Sequence, residues 1–298
     1  MKRAIIITNA YSTLPTGQNQ AERLKTEFAR LGVNAEIRRN GFFAYLDGEG
    51  KLINELTGYD FCVYLDKDKY TSAILEKSGM RLFNSHAAVR VCDDKMETHL
   101  ALSGHGVPMP KTVGGLLCYD ANATVKADEI DYIEKTLGYP VIFKESYGSL
   151  GKGVYKADDR KSLVSLCEKL KCTPHLFQKF ISSSAGKDIR VIVIGGKTVA
   201  AMQRKSDTDF RSNLELGGTA KPVQIDDCLR NICELTAKTL KLDYCGIDLL
   251  YGENGGYLVC EVNSNAFFGG IERVTGVNVA RLYAEYICSE IYDSSRRQ

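Results

Sequence analysis

The stretch Cys245-Gly-Ile-Asp-Leu-Leu-Tyr251, followed after a short connection by Tyr257-Leu-Val-Cys-Glu-Val-Asn263, restricts the fold more than any other part of this chain. Two apolar runs of strand length flank a Gly/Asn-containing turn, which predicts an antiparallel hairpin. Strand side chains alternate between faces, so Glu261 and Asn263 share one face while Leu258, Cys260 and Val262 share the other. A four-residue loop over 253–256 sets Gly252 against Tyr257 and Asp248 against Glu261. One residue more or fewer would put the two carboxylates on opposite faces. Two acids and an amide on one polar face suit Mg²⁺ that nucleotide phosphates also hold, and the absence of His or Cys argues against zinc. The same carboxylates also suit a general acid and base pair of the kind that cleaves glycosides. Against that reading, the chain has no Trp for sugar stacking and carries a phosphate-type glycine loop.

That loop is Lys144-Glu-Ser-Tyr-Gly-Ser-Leu-Gly-Lys-Gly153. Gly148, Gly151 and Gly153 let the backbone approach a ligand and turn its N–H groups toward phosphate oxygens. It is not a Walker A loop, because Gly153 and Ser146 stand where Ser/Thr and Gly are required, and its spacing is not that of a dinucleotide fingerprint. Strands expected at 141–145 and 154–157 make it a flap over a nucleotide. Lys144 ends an apolar strand beside the flap and suits a phosphate as a point charge, and Lys95, opening a helix after Asp93-Asp94, is a second candidate. Arg211, with Ser212 and Asn213 beside it, suits a transferred phosphoryl group. Asp188 suits ribose hydroxyls, the partly apolar strand end from Gln178 to Ile181 suits an adenine, and Arg190 and Arg204 suit a substrate carboxylate.

The 298 residues exceed what one core usually holds, about 250, so several subdomains are expected. Strand and helix signals alternate over 1–92, with strands at 4–8, 33–38, 61–65 and 80–83, which predicts a doubly wound parallel sheet in an α/β protein with α+β subdomains. One helix is expected over 93–103, ended by Val107-Pro108-Met109-Pro110. Further helices are expected at 131–137, 159–170, 227–241 and 278–289, and a second hairpin joins 189–194 to 198–204 across Gly195-Gly196; the polar end, 293–298, reads as loose. The net charge of +2 gives no basic surface for nucleic acid, and the first apolar run, 4–7, is too short to span a membrane or lead secretion. Ten cysteines without a CxxC pair fit buried thiols in a reducing cytoplasm. Cys172 and His175 form a C-x-x-H fragment with no second pair nearby to complete a zinc site.

Read in order, Asp94-Lys95, Lys144, GSLGKG (148–153), GKDIRV (186–191), DFRSNL (209–214) with Gly217-Gly218, CGIDLL (245–250) and EVNS (261–264) resemble the ATP-grasp superfamily. Within it they are most similar to the RimK-like α-L-glutamate ligase family, over about residues 84–290. The resemblance implies an N-terminal pre-ATP-grasp domain (1–92), a central subdomain with the glycine lid (93–178) and a C-terminal subdomain with the magnesium site (179–298). It implies Lys95 and Lys144 on nucleotide phosphates, Gly148, Ser149, Gly151 and Gly153 in the lid, and Gln178, Lys179, Phe180 and Ile181 around adenine. Asp188 would meet the ribose. Arg211, Ser212 and Asn213 would clamp the phosphate, with Arg211 and Asn213 catalytic. Asp248, Glu261 and Asn263 would hold Mg²⁺, Glu261 bridging two ions, and Mn²⁺ would serve in its place. Lys179-Phe180 departs from the family, which often has an acid and a tyrosine there, so nucleotide preference stays open.

The activity so implied is ADP-forming carboxylate–amine ligation through an acyl phosphate, adding glutamate or a similar amino acid to a small molecule, a peptide or a carrier protein. A kinase acting on a hydroxyl and a regulatory module that binds ATP without turnover are the alternatives. Neither nucleic acid nor membrane is expected as a partner, and a symmetric homo-oligomer is compatible with the family.

Overall fold

The computed structural model describes residues 1–212 and 217–296, with side chains through residue 293. The N-terminal elements are β1 (Arg3–Thr8), α1 (Pro15–Arg30), β2 (Asn34–Arg39), β3 (Ala44–Leu46), β4 (Leu52–Asn54), β5 (Phe61–Leu65), α2 (Lys69–Lys77) and β6 (Leu82–Phe83). Four of the strands form a parallel sheet ordered β2-β1-β5-β6, as the alternation predicts. Ala4 through Ile7 are all fully buried, the mark of a central strand covered on both faces. The small β3–β4 hairpin is not legible in advance, because three residues are too few to show an alternation.

The helix expected over 93–103 is present as α4 (Lys95–Leu102), and a separate helix that was not expected, α3 (His86–Asp93), precedes it. Asp94 is extended between them, and its Oδ1 accepts from the amides of Met96 (2.8 Å) and Glu97 (3.1 Å), so it caps α4 and fixes Lys95 as its first residue. Next come β7 (Thr112–Gly114), α5 (Ala127–Leu137), β8 (Val141–Glu145), β9 (Val154–Ala157), α6 (Arg160–Leu170) and β10 (His175–Lys179). Their strands make an antiparallel sheet ordered β7-β10-β8-β9, with the glycine loop joining β8 to β9.

The last group is β11 (Lys187–Ile194), β12 (Lys197–Lys205), β13 (Thr219–Pro222), α7 (Asp227–Thr239), β14 (Tyr244–Tyr251), β15 (Tyr257–Asn263), α8 (Gly269–Thr275) and α9 (Val279–Arg296). Both predicted hairpins are present in a five-stranded antiparallel sheet ordered β13-β12-β11-β14-β15. Where a loose tail was expected, α9 continues to Arg296.

Packing crosses the sequence order. Tyr283, Ala284 and Ile287 of α9 share one core with Leu24 and Phe28 of α1 and Phe61 of β5, so the C-terminal helix closes the N-terminal sheet. Ala88, Cys92 and Leu102 of α3 and α4 join Leu229 and Cys233 of α7 against the five-stranded sheet. Asn84, 1% exposed, ties these layers together. Its Nδ2 donates to the carbonyls of Tyr244 (2.7 Å) and Ser264 (2.8 Å), and its Oδ1 accepts from the amides of Asp243 (2.7 Å) and Tyr244 (3.0 Å). Asn84→Ala leaves these buried backbone groups unpaired, and a loss of about 3 kcal/mol in urea unfolding is expected. A loss below about 1 kcal/mol would mean that water replaces the amide.

Candidate nucleotide and metal site

Two cavities meet at the β14–β15 hairpin. The smaller, about 120 Å³, lies between the four-stranded antiparallel sheet and the five-stranded sheet, and Lys95, Lys144, Gln178 and Arg211 line it. The larger, about 1030 Å³, opens between the N-terminal layer and the hairpin, with Arg23, Arg39, Arg190 and Arg273 on its walls. Ser149, Arg204, Asp248 and Glu261 line both.

The carboxylates are opposed as expected, but by a different route. Tyr251 pairs with Tyr257, so the loop is one residue longer than four, and a register shift follows between Asp248 and Leu249. Leu249 pairs with Val259 and Asp248 with Glu261, leaving Cys260 as the extra residue of a β-bulge. The bulge cancels the longer loop. It also overturns the expected placing of Cys260 on the far face: its Sγ lies 3.3 Å from Lys144 Nζ and it lines the smaller cavity.

Asp248 sits in a buried ionic quartet. Arg190 reaches it with two donors, Nε to Oδ1 and Nη2 to Oδ2 (2.7 Å). Arg204, 5% exposed, bridges Asp248 Oδ1 (3.1 Å) and both oxygens of Asp188. Burial pushes the Asp248 pKa up, but the two guanidiniums outweigh it and hold the carboxyl below its ordinary value. Room for Arg190 comes from Gly246, where an added Cβ would lie 2.4 Å from Ala266 Cβ and 3.3 Å from Arg190 Cδ.

The donor set fits a hard divalent cation. Asp248, Glu261 and Asn263 offer only oxygen and all line the larger cavity. Among the described residues no group of three His, Cys, Asp or Glu side chains could hold a metal alone. Such a cation therefore needs further oxygens from its ligand, as magnesium does when it comes with phosphates. Three guanidinium contacts leave Asp248 little free lone-pair capacity, which makes Glu261 the main anchor.

The two candidate lysines converge. The Lys95 amide donates to Ser146 O (3.0 Å), and its ammonium to Gly148 O (3.1 Å), so α4 is fastened to the base of the loop. Burial lowers the Lys95 pKa, with Glu261 acting against that and Lys144 adding to it. The loop is strained at its tip, where Leu150 holds φ +60° between Gly148 and Gly151. At Gly153, φ is +72° and an added Cβ would meet the Glu145 side chain at 3.0 Å. Arg211 pairs with Asp209 (2.7 Å) and donates through Nη1 to Gly151 O (2.7 Å), latching the loop from the other side.

The remaining expected residues divide. Gln178, Phe180, Ile181, Asp188 and Ser212 line the smaller cavity; Asp188, the expected ribose contact, gives both carboxylate oxygens to Arg204. Lys179 also lines it, but its ammonium reaches outward to Glu253 (3.4 Å). Asn213 lies outside the described residues. Sequence reasoning missed the cavity-facing role of Cys260 and the contact of His99 with Gln178. The spacing of His99 four residues after Lys95, on one helix face, was the available signal.

A family model described as RimK-like ATP-grasp domain matches residues 92–287. This chain belongs to the RimK-like ATP-grasp family. It is 36% identical over 231 residues to beta-citrylglutamate synthase B from Danio rerio, covering 76% of this chain and 55% of that protein. It is 38% identical over 225 residues to a probable alpha-L-glutamate ligase from Legionella pneumophila (strain Corby), covering 73% and 71%. The chain thus spans about half the length of the first of these relatives. D-alanine–D-alanine ligase from Bacillus anthracis shares the fold, with a TM-score of 0.73 over 100% of both chains at 16% identity. The RimK-like chain therefore has an ATP-grasp fold, with the parallel sheet in front of it.

Proposed function

We propose that this RimK-like chain is an ATP-dependent carboxylate–amine ligase that forms an amide through an acyl phosphate, with glutamate or a similar amino acid as the amine. One observation carries the reading: two buried lysines and Arg211 surround a small cavity under the glycine loop, and its Asp248–Glu261 floor opens directly into a larger cavity. A nucleotide in the first would present its terminal phosphate to an acid in the second.

Lys95 and Lys144 act as point charges on the phosphates, and Arg211, aligned by Asp209, stabilises the phosphoryl group in flight and then the tetrahedral charge. Asp248, Glu261 and Asn263 would hold magnesium, two ions in our reading and replaceable by manganese, which when bound would neutralise the triphosphate. Asn213 assists Arg211, Asp188 and the 178–181 strand end hold the nucleoside, and the lid from Gly148 to Gly153 keeps water from the acyl phosphate. Residues 1–92, 93–178 and 179–298 serve as the wall of the acceptor cavity, the lid-bearing half and the metal-bearing half. A cavity of about 1030 Å³ has room for an acid and an amine together, and Arg190 and Arg204, which line it while paired with Asp248 and Asp188, would meet a substrate carboxylate through their remaining donors.

The relatives' names support glutamate as the amine; the acid in our reading is a small molecule, a peptide or a carrier protein. No described helix is long and apolar enough to cross a membrane, and free buried thiols such as Cys62 and Cys245 suit the reducing cytoplasm, where we place the reaction. The test is ADP release by the purified chain across a panel of acids, each with and without glutamate. Release that requires both is expected. Release with a hydroxyl compound alone would indicate a kinase, and binding without release a regulatory module.

A further inference from the structure

Cys172 has no second Cys/His pair near it in the sequence, but it has a thiol partner in the structure. The antiparallel pairing of β7 with β10 runs on past the strand ends: the Gly115 amide donates to His175 O (2.9 Å) and the Cys118 amide to Lys171 O (3.2 Å). The chains approach so closely that a Cβ added at Gly115 would lie 2.3 Å from His175 Cδ2 and 2.7 Å from His175 O. The loop after β7 is thereby laid against the turn between α6 and β10. There the Cys172 thiol meets the Cys118 thiol as a side-chain hydrogen-bonding neighbour, with Lys171 and Asp120 near the pair. Antiparallel segments side by side hold opposed Cα atoms about 4.5 to 5.5 Å apart, a span that a disulfide bridges without moving the backbone. His175, the other half of the C-x-x-H fragment, is engaged elsewhere: its Nδ1 lies 2.7 Å from Thr173 O and its ring stacks on Phe143 at 4.7 Å.

The two thiols suit different steps. Cys172 is exposed, whereas Cys118 is half-buried and gives its hydrogen to Asp120 O (3.0 Å), which leaves its sulfur lone pairs for Cys172. Cys92, Cys233 and Cys245 also lie near one another, but they are buried in the core against the five-stranded sheet, out of reach of an oxidant. Neither Cys118 nor Cys172 lines either cavity. Between them in sequence lie α5, β8, the glycine loop, β9 and α6, so a bond between them ties off the whole lid-bearing segment.

We propose that Cys118 and Cys172 form a reversible disulfide that closes the base of the lid-bearing segment when the chain meets a peroxide. The Cys172 thiolate attacks one oxygen of hydrogen peroxide, the O–O bond breaks, and the departing hydroxide takes up the proton that Cys172 released, giving water. Cys118 then attacks the sulfenic sulfur of Cys172. The S–S bond forms, the S–OH bond breaks, and the Cys118 proton leaves with the hydroxide as a second water. Both sulfurs are oxidised and the peroxide is reduced to two waters. In a reducing cytoplasm thiol reductants reopen the bond by exchange, so it persists only under oxidative load. The inference is independent of the reaction proposed above.

The test treats the reduced full chain with hydrogen peroxide, alkylates the remaining thiols and maps the digest by mass spectrometry. A linked peptide pair joining Cys118 to Cys172 is expected, and dithiothreitol should release it. The melting temperature of the treated chain should rise by at least about 4 °C, because the bond closes a long loop in the unfolded chain. Cys118→Ser and Cys172→Ser should each melt within about 1 °C of the reduced chain and show no gain on treatment, since serine keeps the size of the side chain. Cys228→Ser, at an exposed thiol on α7, should keep both the linked pair and the gain. Recovery of Cys118 and Cys172 in separate alkylated or sulfinic peptides would overturn the inference, as would a bond from either to Cys228 or between two chains. A linked pair that dithiothreitol does not release would overturn its reversibility, and one without a rise in melting temperature would overturn the closing of the segment.

Discussion

Glu261→Gln is expected to lower ATP turnover by at least about a thousandfold, with little change in melting temperature. Glu261 makes no ion pair among the described residues, is half-buried, and lines both cavities, so a neutral isostere leaves the packing intact. What it removes is the main anionic anchor for the cation, since Asp248 is already engaged by two arginines. A loss of about 4 kcal/mol in transition-state charge stabilisation corresponds to roughly a thousandfold in rate. A coupled assay of ADP release, with a thermal melt alongside, reads both halves. Turnover within tenfold of the unaltered chain would take the metal assignment away.

Arg204→Met is expected to cost about 3 to 5 kcal/mol of stability at pH 7, because it strands Asp188 and Asp248 in the interior with one guanidinium between them. The pH dependence separates charge from packing. Asp248 has a folded-state pKa below its ordinary value, so its contribution is complete above the unfolded pKa, about 3.9, and is lost as pH falls through the folded value. In the variant that folded value rises, and protonation relieves the stranded charge. The deficit should therefore shrink between pH 7 and pH 4 in urea melts followed at each pH. A deficit that stays constant would mean that Arg204 contributes packing alone.

Much of the candidate site was legible because it is local. Lys144 and the glycine loop occupy one hairpin, and Asp248, Glu261 and Asn263 occupy another. The opposition of Asp248 and Glu261 was legible for an incomplete reason. A four-residue loop and a longer loop with a bulge give the same pairing, and a bulge leaves no mark in hydrophobic alternation. Cys260 was misplaced for that reason. The start of α4 at Lys95 was nearly legible, since Asp94 is a strong N-cap residue, whereas α3 just before it was not expected.

By itself the sequence determined the alternation that makes a parallel sheet, the two hairpins, the flap and the residue types at the floor of the site, all set by neighbours a few positions apart. The tertiary structure alone decided which cations meet Asp248, that α9 closes the first sheet, and that His99 and Thr112 reach Gln178. Those contacts join residues tens to hundreds of positions apart, and chain periodicity carries no information about partners that only burial of a shared apolar core brings together.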